Sequence, residues 1–177
     1  MAVELGVSLI QIREKQLTGK LLYKLVCDAV TVTAGTETLL LVNDRADIAV
    51  AAGADGVHLP AMSLSPKMVR AAFGPEIIIG VSTHSISEAS NARVGGADYI
   101  VFGPVFATPG KGDGCGVKGL AEVCRELVSF PVIALGGIDS DNFRSSLDAG
   151  AAGFAAIRSL NDPTEMTRTM SIIRKMR

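Results

Sequence analysis

Gly53-Ala54-Asp55-Gly56-Val57 and Gly96-Ala97-Asp98-Tyr99-Ile100 decide the fold, because the same phrase stands twice more in the chain, as Gly6-Val7-Ser8-Leu9-Ile10 and Gly150-Ala151-Ala152-Gly153-Phe154. Each begins with a glycine, passes two or three small residues and enters an apolar run. A helix reaching such a glycine stops there, since glycine takes the left-handed C-cap conformation without steric cost, and the short loop feeds a strand. Between these phrases lie three plain apolar runs of strand length, 39–42, 77–81 and 132–135. Continuous β-branched or leucine runs suit strands buried on both faces of a parallel sheet.

The gaps read as helices over 19–34, 44–52, 65–73, 85–94, 119–128, 141–149 and 163–176. Ser65 before Pro66, and Ser85 with Glu88 three residues on, are N-terminal signals. Strands alternating with helices make right-handed βαβ units. The seven strands alternate between glycine-led and plain, which implies a plain eighth strand before Gly6 in a closed (β/α)₈ barrel. The expectation is therefore a TIM (β/α)₈ barrel lacking its first strand and most of its first helix, as a single domain over 1–177. A doubly wound open sheet is the rival, but nothing in the order marks the switch point it needs.

Of the 177 residues, 48% are hydrophobic and 20% charged, with 19 Gly, which suits a glycine-punctuated α/β globule and not a disordered chain. A net charge of −1 excludes bulk attraction to nucleic acid or an anionic membrane, so a small anion must be held by a few placed cations. No apolar run approaches the roughly 18–20 residues that span a bilayer, and residues 1–6 do not resemble a signal peptide. Cys27, Cys115 and Cys124 form no metal-ligand spacing with the two histidines and read as reduced thiols. The expected location is cytoplasmic, the expected partners are small phosphorylated molecules, and a homo-oligomer is left open.

Polar residues stand at the C-terminal end of every strand, where (β/α) barrels build their sites. The first strand leads to Gln11, Arg13, Glu14 and Lys15, and the second to Asn43-Asp44-Arg45. His58 and Ser82-Thr83-His84 follow, then a loop from Gly103 through Thr108 and Lys111 to Gly112, then Gly136-Gly137, and last Arg158-Ser159. In an extended strand Arg13 and Lys15 share a face, as a diphosphate site would need; a rim ion pair with Glu14 or Asp44 is the other reading. Asp44 is either a metal carboxylate or the cap of the next helix. His58 reads as a hydrogen-bonded core residue, and His84 as a helix start. Gly136-Gly137, opening a helix, lets backbone N–H groups approach an anion, and Arg158 at a strand end adds a bidentate contact or an ion pair. Lys111 suits a phosphate clamp.

In order, Gln11-Ile12-Arg13-Glu14-Lys15, Asn43-Asp44-Arg45, Gly53-Ala54-Asp55-Gly56-Val57-His58-Leu59, Gly103-Pro104-Val105-Phe106 and Ala134-Leu135-Gly136-Gly137-Ile138 resemble the thiamine phosphate synthase family, with which TenI-like thiazole tautomerases share much. The resemblance implies coupling of a hydroxymethylpyrimidine diphosphate to a thiazole phosphate, with release of pyrophosphate and help from Mg²⁺. It implies that Gln11, Arg13, Lys15 and Asn43 bind the diphosphate and Asp44 the metal. Ser82, Thr108 and Lys111 would line the reacting centre, with Arg13, Lys15, Ser82 and Lys111 as the catalytic set. Gly136, Gly137, Arg158 and Ser159 would take the thiazole phosphate. Three positions depart from the pattern. Ser63 stands where an acidic residue helps to hold Mg²⁺, Gly110 replaces a second threonine, and Pro104 stands where some tautomerases carry a catalytic histidine. A thiazole phosphate tautomerase and a non-catalytic phosphometabolite-binding barrel remain alternative readings.

Overall fold

The computed structural model describes residues 1–108, 110 and 112–176. Its strands are β1 (Leu9–Ile12), β2 (Leu39–Asn43), β3 (Gly56–Leu59), β4 (Ile78–Thr83), β5 (Tyr99–Phe102), β6 (Val132–Leu135) and β7 (Gly153–Ala155). Helices α1 (Gly19–Thr33), α2 (Ala46–Ala52), α3 (Pro66–Phe73), α4 (Ile86–Val94), α5 (Gly116–Glu126) and α6 (Phe143–Asp148) alternate with them, and α7 (Arg158–Asn161) and α8 (Pro163–Arg174) follow β7. The seven expected strands and their alternation with helices are all present. The chain divides into two compact units, Met1–Val81 with Gly95–Ala97, and Ser82–Val94 with the chain from Asp98 onward.

In the first unit β1, β2, β3 and the start of β4 pair in parallel, each with its successor, through Ile12↔Val42, Asn43↔His58 and Leu59↔Val81. Leu40, Leu41 and Val42 are all buried, and so is every residue of β3, so these strands are covered on both faces as their continuous apolar runs require. One cover is the packing of Leu22 and Val26 of α1 and Ile48 and Ala49 of α2 against Leu40 and Val42. Each such leucine, isoleucine or valine contributes about 1.5–3 kcal/mol on burial. Gly53 ends α2 with φ 75°, the left-handed cap that the repeated phrase predicts. Asp55 then joins three strands: its carboxylate accepts from Leu40 N at 2.7 Å, its N–H donates to Leu40 O, and its carbonyl accepts from Ile78 N.

In the second unit β5, β6 and β7 pair in parallel, through Phe102↔Ala134 and Leu135↔Ala155. The last residues of β4 belong to this unit; Thr83 O accepts from Gly103 N, and Thr83 Oγ1 donates to Val101 O. Phe143 of α6 is fully buried with its ring 5.0 Å from that of Phe154.

Ser65 caps α3 through Met68 N with Pro66 in the first turn, as expected. At α4 the Ser85 hydroxyl accepts from Glu88 N, while the Glu88 carboxylate accepts from His84 N, so the expected box forms one residue wider. Other expectations fail locally. Asp44 has φ 64° and α2 starts at Ala46, so Asp44 is not its cap. α5 starts three residues before the expected Gly119, and α7 was not foreseen.

Candidate active site

Consecutive strand ends of the first unit bring Gln11, Asn43 and His58 side by side. Gln11 Nε2 donates to Asn43 Oδ1 at 3.5 Å, and Asn43 stands opposite His58 in the ladder. β1 stops at Ile12, so Arg13 and Lys15 lie beyond the strand and are not placed on one face by strand alternation, contrary to the expectation. The reason is the ladder, whose last pair is Ile12↔Val42. Both cations are exposed, and among the described residues neither forms an ion pair, so the rim-bridge reading is not realised.

His58 is buried with 6% of its surface exposed. Burial first, and the Arg13 charge second, push its imidazole down to about 4, so it is neutral near pH 7. The core reading of this histidine therefore stands.

Asp44 is held from two sides. Its N–H donates to His58 O at 2.8 Å, extending the β2–β3 ladder by one bond into a left-handed residue. Its carboxylate accepts a hydrogen bond from Ser63 Oγ, whose own N–H closes a turn onto Pro60 O after β3. Sequence reading marked Ser63 only as a departure; its contact with a residue nineteen positions away had no local signal. The neighbouring Arg45 is engaged through both Nε and an Nη with Asp47, at 2.8 and 2.6 Å, which holds the Asp47 carboxyl below its usual range.

The second unit gathers the other expected residues. Gly136 and Gly137 have φ 104° and 64°. A Cβ on Gly136 would lie 2.6 Å from Pro104 Cα, and one on Gly137 2.7 Å from Ala107 O. Val105 N donates to Leu135 O and Phe106 N to Gly136 O, so the β5 loop lies directly on this turn. No helix opens at Gly137, contrary to expectation: 138–142 is a turn. Asp139 Oδ1 accepts from Asp141 N and Asn142 N, and Asn142 Nδ2 donates to Gly137 O at 2.8 Å, which diverts the backbone from helix until Phe143.

Arg158 does not end a strand either. β7 stops at Ala155 and Arg158, exposed, opens the single turn of α7. Ser159 Oγ donates to Ile138 O at 2.9 Å, tying that turn to the Gly136-Gly137 loop. The four residues expected to hold a phosphate are thus brought to adjoining loops, by a short helix and not by a strand end.

Ser82 is half-buried at the end of β4. Thr108 pairs its N–H with Gly112 O and turns its hydroxyl to Phe106 O. Lys111, expected as a clamp, lies outside the described residues. A cavity of about 320 Å³ is lined by His84, Phe102, Gly103, Pro104, Gly114 and Cys115, and contains none of the residues expected to bind substrate. There His84 Nδ1 bonds to Gly103 O, and burial pushes the Cys115 thiol up, away from the reactive thiolate. No helix among the described residues is long and apolar enough to cross a membrane.

The family model described as thiamine monophosphate synthase matches residues 1–160. A thiamine-phosphate synthase of Chlorobium phaeobacteroides is 39% identical over 180 residues, covering 99% of this chain and 87% of its own. One of Methanoculleus marisnigri is 39% identical over 172 residues, covering 96% and 81%. Among solved structures, the thiamine phosphate pyrophosphorylase of Pyrococcus furiosus superposes with a TM-score of 0.88 at 31% identity, covering 98% of this chain and 86% of its own. Matching blocks, strand order and near full-length similarity have one reading: the chain belongs to the thiamine monophosphate synthase family.

Proposed function

We propose that this chain is a thiamine phosphate synthase built on a single (β/α) barrel domain and working in the cytoplasm. It joins a hydroxymethylpyrimidine diphosphate to a thiazole phosphate and releases pyrophosphate. The observation that carries the reading is the end of β1–β3, where Arg13 and Lys15 stand exposed, without ion pairs among the described residues, and Asp44 is fixed by His58 and Ser63. Relatives named as thiamine-phosphate synthases, matched over 81–87% of their own length, favour it over a tautomerase acting on the thiazole phosphate alone and over a non-catalytic barrel.

Gln11 and Asn43 orient the pyrimidine diphosphate, and Arg13 and Lys15 neutralise its phosphates. When the bond between the pyrimidine methylene and the diphosphate oxygen breaks, positive charge grows on the methylene and negative charge on the departing oxygens. Arg13 and Lys15 stabilise those oxygens as they form, which is where preorganised charge lowers the barrier most. The thiazole nitrogen then bonds to the methylene. Ser82, Thr108 and Lys111 are assigned to the bond-breaking step by resemblance to the family, Lys111 through its charge on pyrophosphate. Backbone at Gly136 and Gly137, with Arg158 and Ser159, holds the thiazole phosphate.

The donor set fits Mg²⁺, which commonly takes one or two carboxylates and completes its shell with phosphate oxygens and water. Asp44 would supply the carboxylate, held in place by the Ser63 hydroxyl on one of its oxygens. Bound there, Mg²⁺ would add charge stabilisation to the leaving pyrophosphate. Incubating the folded chain with both phosphorylated substrates and Mg²⁺ yields thiamine phosphate and pyrophosphate in equal amounts. No product from folded protein overturns the proposal.

A further inference from the structure

We infer that Ser63 is a positioning residue that commits one oxygen of the Asp44 carboxylate, so that this chain takes up a divalent cation only together with a diphosphate. The inference rests on the diphosphate reading of the first unit. Asp44 is pinned through its backbone by the bond from its N–H to His58 O at 2.8 Å, in a left-handed conformation with φ 64°. Such a conformation is uncommon outside glycine and persists only where the surroundings fix it. The remaining freedom is the side chain, and Ser63 removes it by donating to Oδ1. Ser63 is itself anchored, through its N–H on Pro60 O at 3.0 Å. Oδ2 is the carboxylate oxygen that Ser63 leaves uncommitted.

That single oxygen offers a free cation too few ligands. No group of three His, Cys, Asp or Glu side chains gathers anywhere among the described residues. Asp47, the next acid in the chain, is spent on Arg45. A divalent cation arriving alone meets one uncommitted carboxylate oxygen. A diphosphate adds negative charge and supplies several more hard oxygen ligands. Cation and diphosphate therefore bind cooperatively, and by linkage each raises the affinity for the other by the same factor.

The test uses the full chain, Mn²⁺ as the cation and inorganic pyrophosphate, reading free Mn²⁺ by electron paramagnetic resonance against protein-free controls that account for chelation in solution. Wild-type protein binds Mn²⁺ at least about tenfold more tightly with pyrophosphate than without. Ser63→Ala loses most of that factor and Ser63→Thr, which keeps the hydroxyl, retains it. Ser63→Asp, which adds a second carboxylate, binds Mn²⁺ without pyrophosphate. Equal Mn²⁺ binding by the wild type with and without pyrophosphate overturns the inference. So does full coupling in Ser63→Ala, or failure of the wild type to bind either probe. A chain that couples Mn²⁺ to pyrophosphate but makes no thiamine phosphate loses the proposed reaction and keeps this inference; a productive chain without coupling does the reverse.

Discussion

The ends of β1–β3 and the loops after β6 and β7 both collect residues suited to phosphate, yet they are built in opposite ways. In the first region the relevant groups are charged tips, Arg13 and Lys15, that form no ion pair among the described residues and lie outside the ladder. In the second they are main chain, at two glycines whose missing side chains let the 104–107 loop lie against them. Charge carried on an exposed side chain is separable from stability, whereas a surface made of backbone is not. Substitutions in the first region should change binding and leave the fold alone. In the second they should change both.

The largest effect comes from Gly136→Ala. Its φ of 104° disfavours any side chain, and a Cβ would overlap Pro104 at 2.6 Å. Strain and overpacking together cost about 3 kcal/mol or more. Gly112→Ala is the control, with φ 75° but no atom within 4 Å of the added methyl, and costs about 1 kcal/mol. Urea unfolding of the two variants breaks the comparison if they are equally destabilised.

The next effect belongs to His58. Its folded-state value of about 4 lies below the ordinary 6.5, so between those values the unfolded chain binds the extra proton and the folded chain does not. The stabilisation is complete above pH 6.5 and is lost as pH falls towards 4, by an amount on the order of 3 kcal/mol. His58→Gln removes this contribution. Stability against pH, compared for the two proteins, checks it; identical slopes between pH 6.5 and 4 would refute a buried neutral histidine.

The smallest effect sharpens the distinction itself. Arg13→Ala weakens pyrophosphate binding about tenfold, the scale of one charge-assisted hydrogen bond. Its melting temperature stays with that of the wild type, because the side chain is exposed and makes no ion pair among the described residues. Calorimetric titration and thermal unfolding on the same sample separate the two quantities.

Much of this was legible in the sequence, and what was lost has a common cause. The apolar runs and their leading glycines located all seven strands, because burial on both faces admits few residue types. Gln11, Asn43, Asp44, Gly136 and Gly137 stand at strand ends or in the loop just beyond, as expected. Where each element stops was not legible, because a neighbour decides it. β1 loses its partner after Ile12, leaving Arg13 and Lys15 outside a regular alternation. Asp139 and Asn142 capture backbone groups that a helix from Gly137 would have used. The run Ala155-Ala156-Ile157 reads as continuing strand, yet the ladder with β6 ends at Ala155. The Asp44–Ser63 bond joins two loops after different strands, a relation no local pattern encodes.

Asp55 gives the first unit a division of labour. One short loop residue secures the starts of β2 and β4 through its carboxylate and carbonyl, at the ends opposite Asn43 and Thr83. The far ends are thereby relieved of the task of keeping the strands in register. Loops there can lengthen, shorten or exchange polar residues while the joinery beneath stays intact. Such a scaffold keeps its base fixed while its rim is free to carry the chemistry.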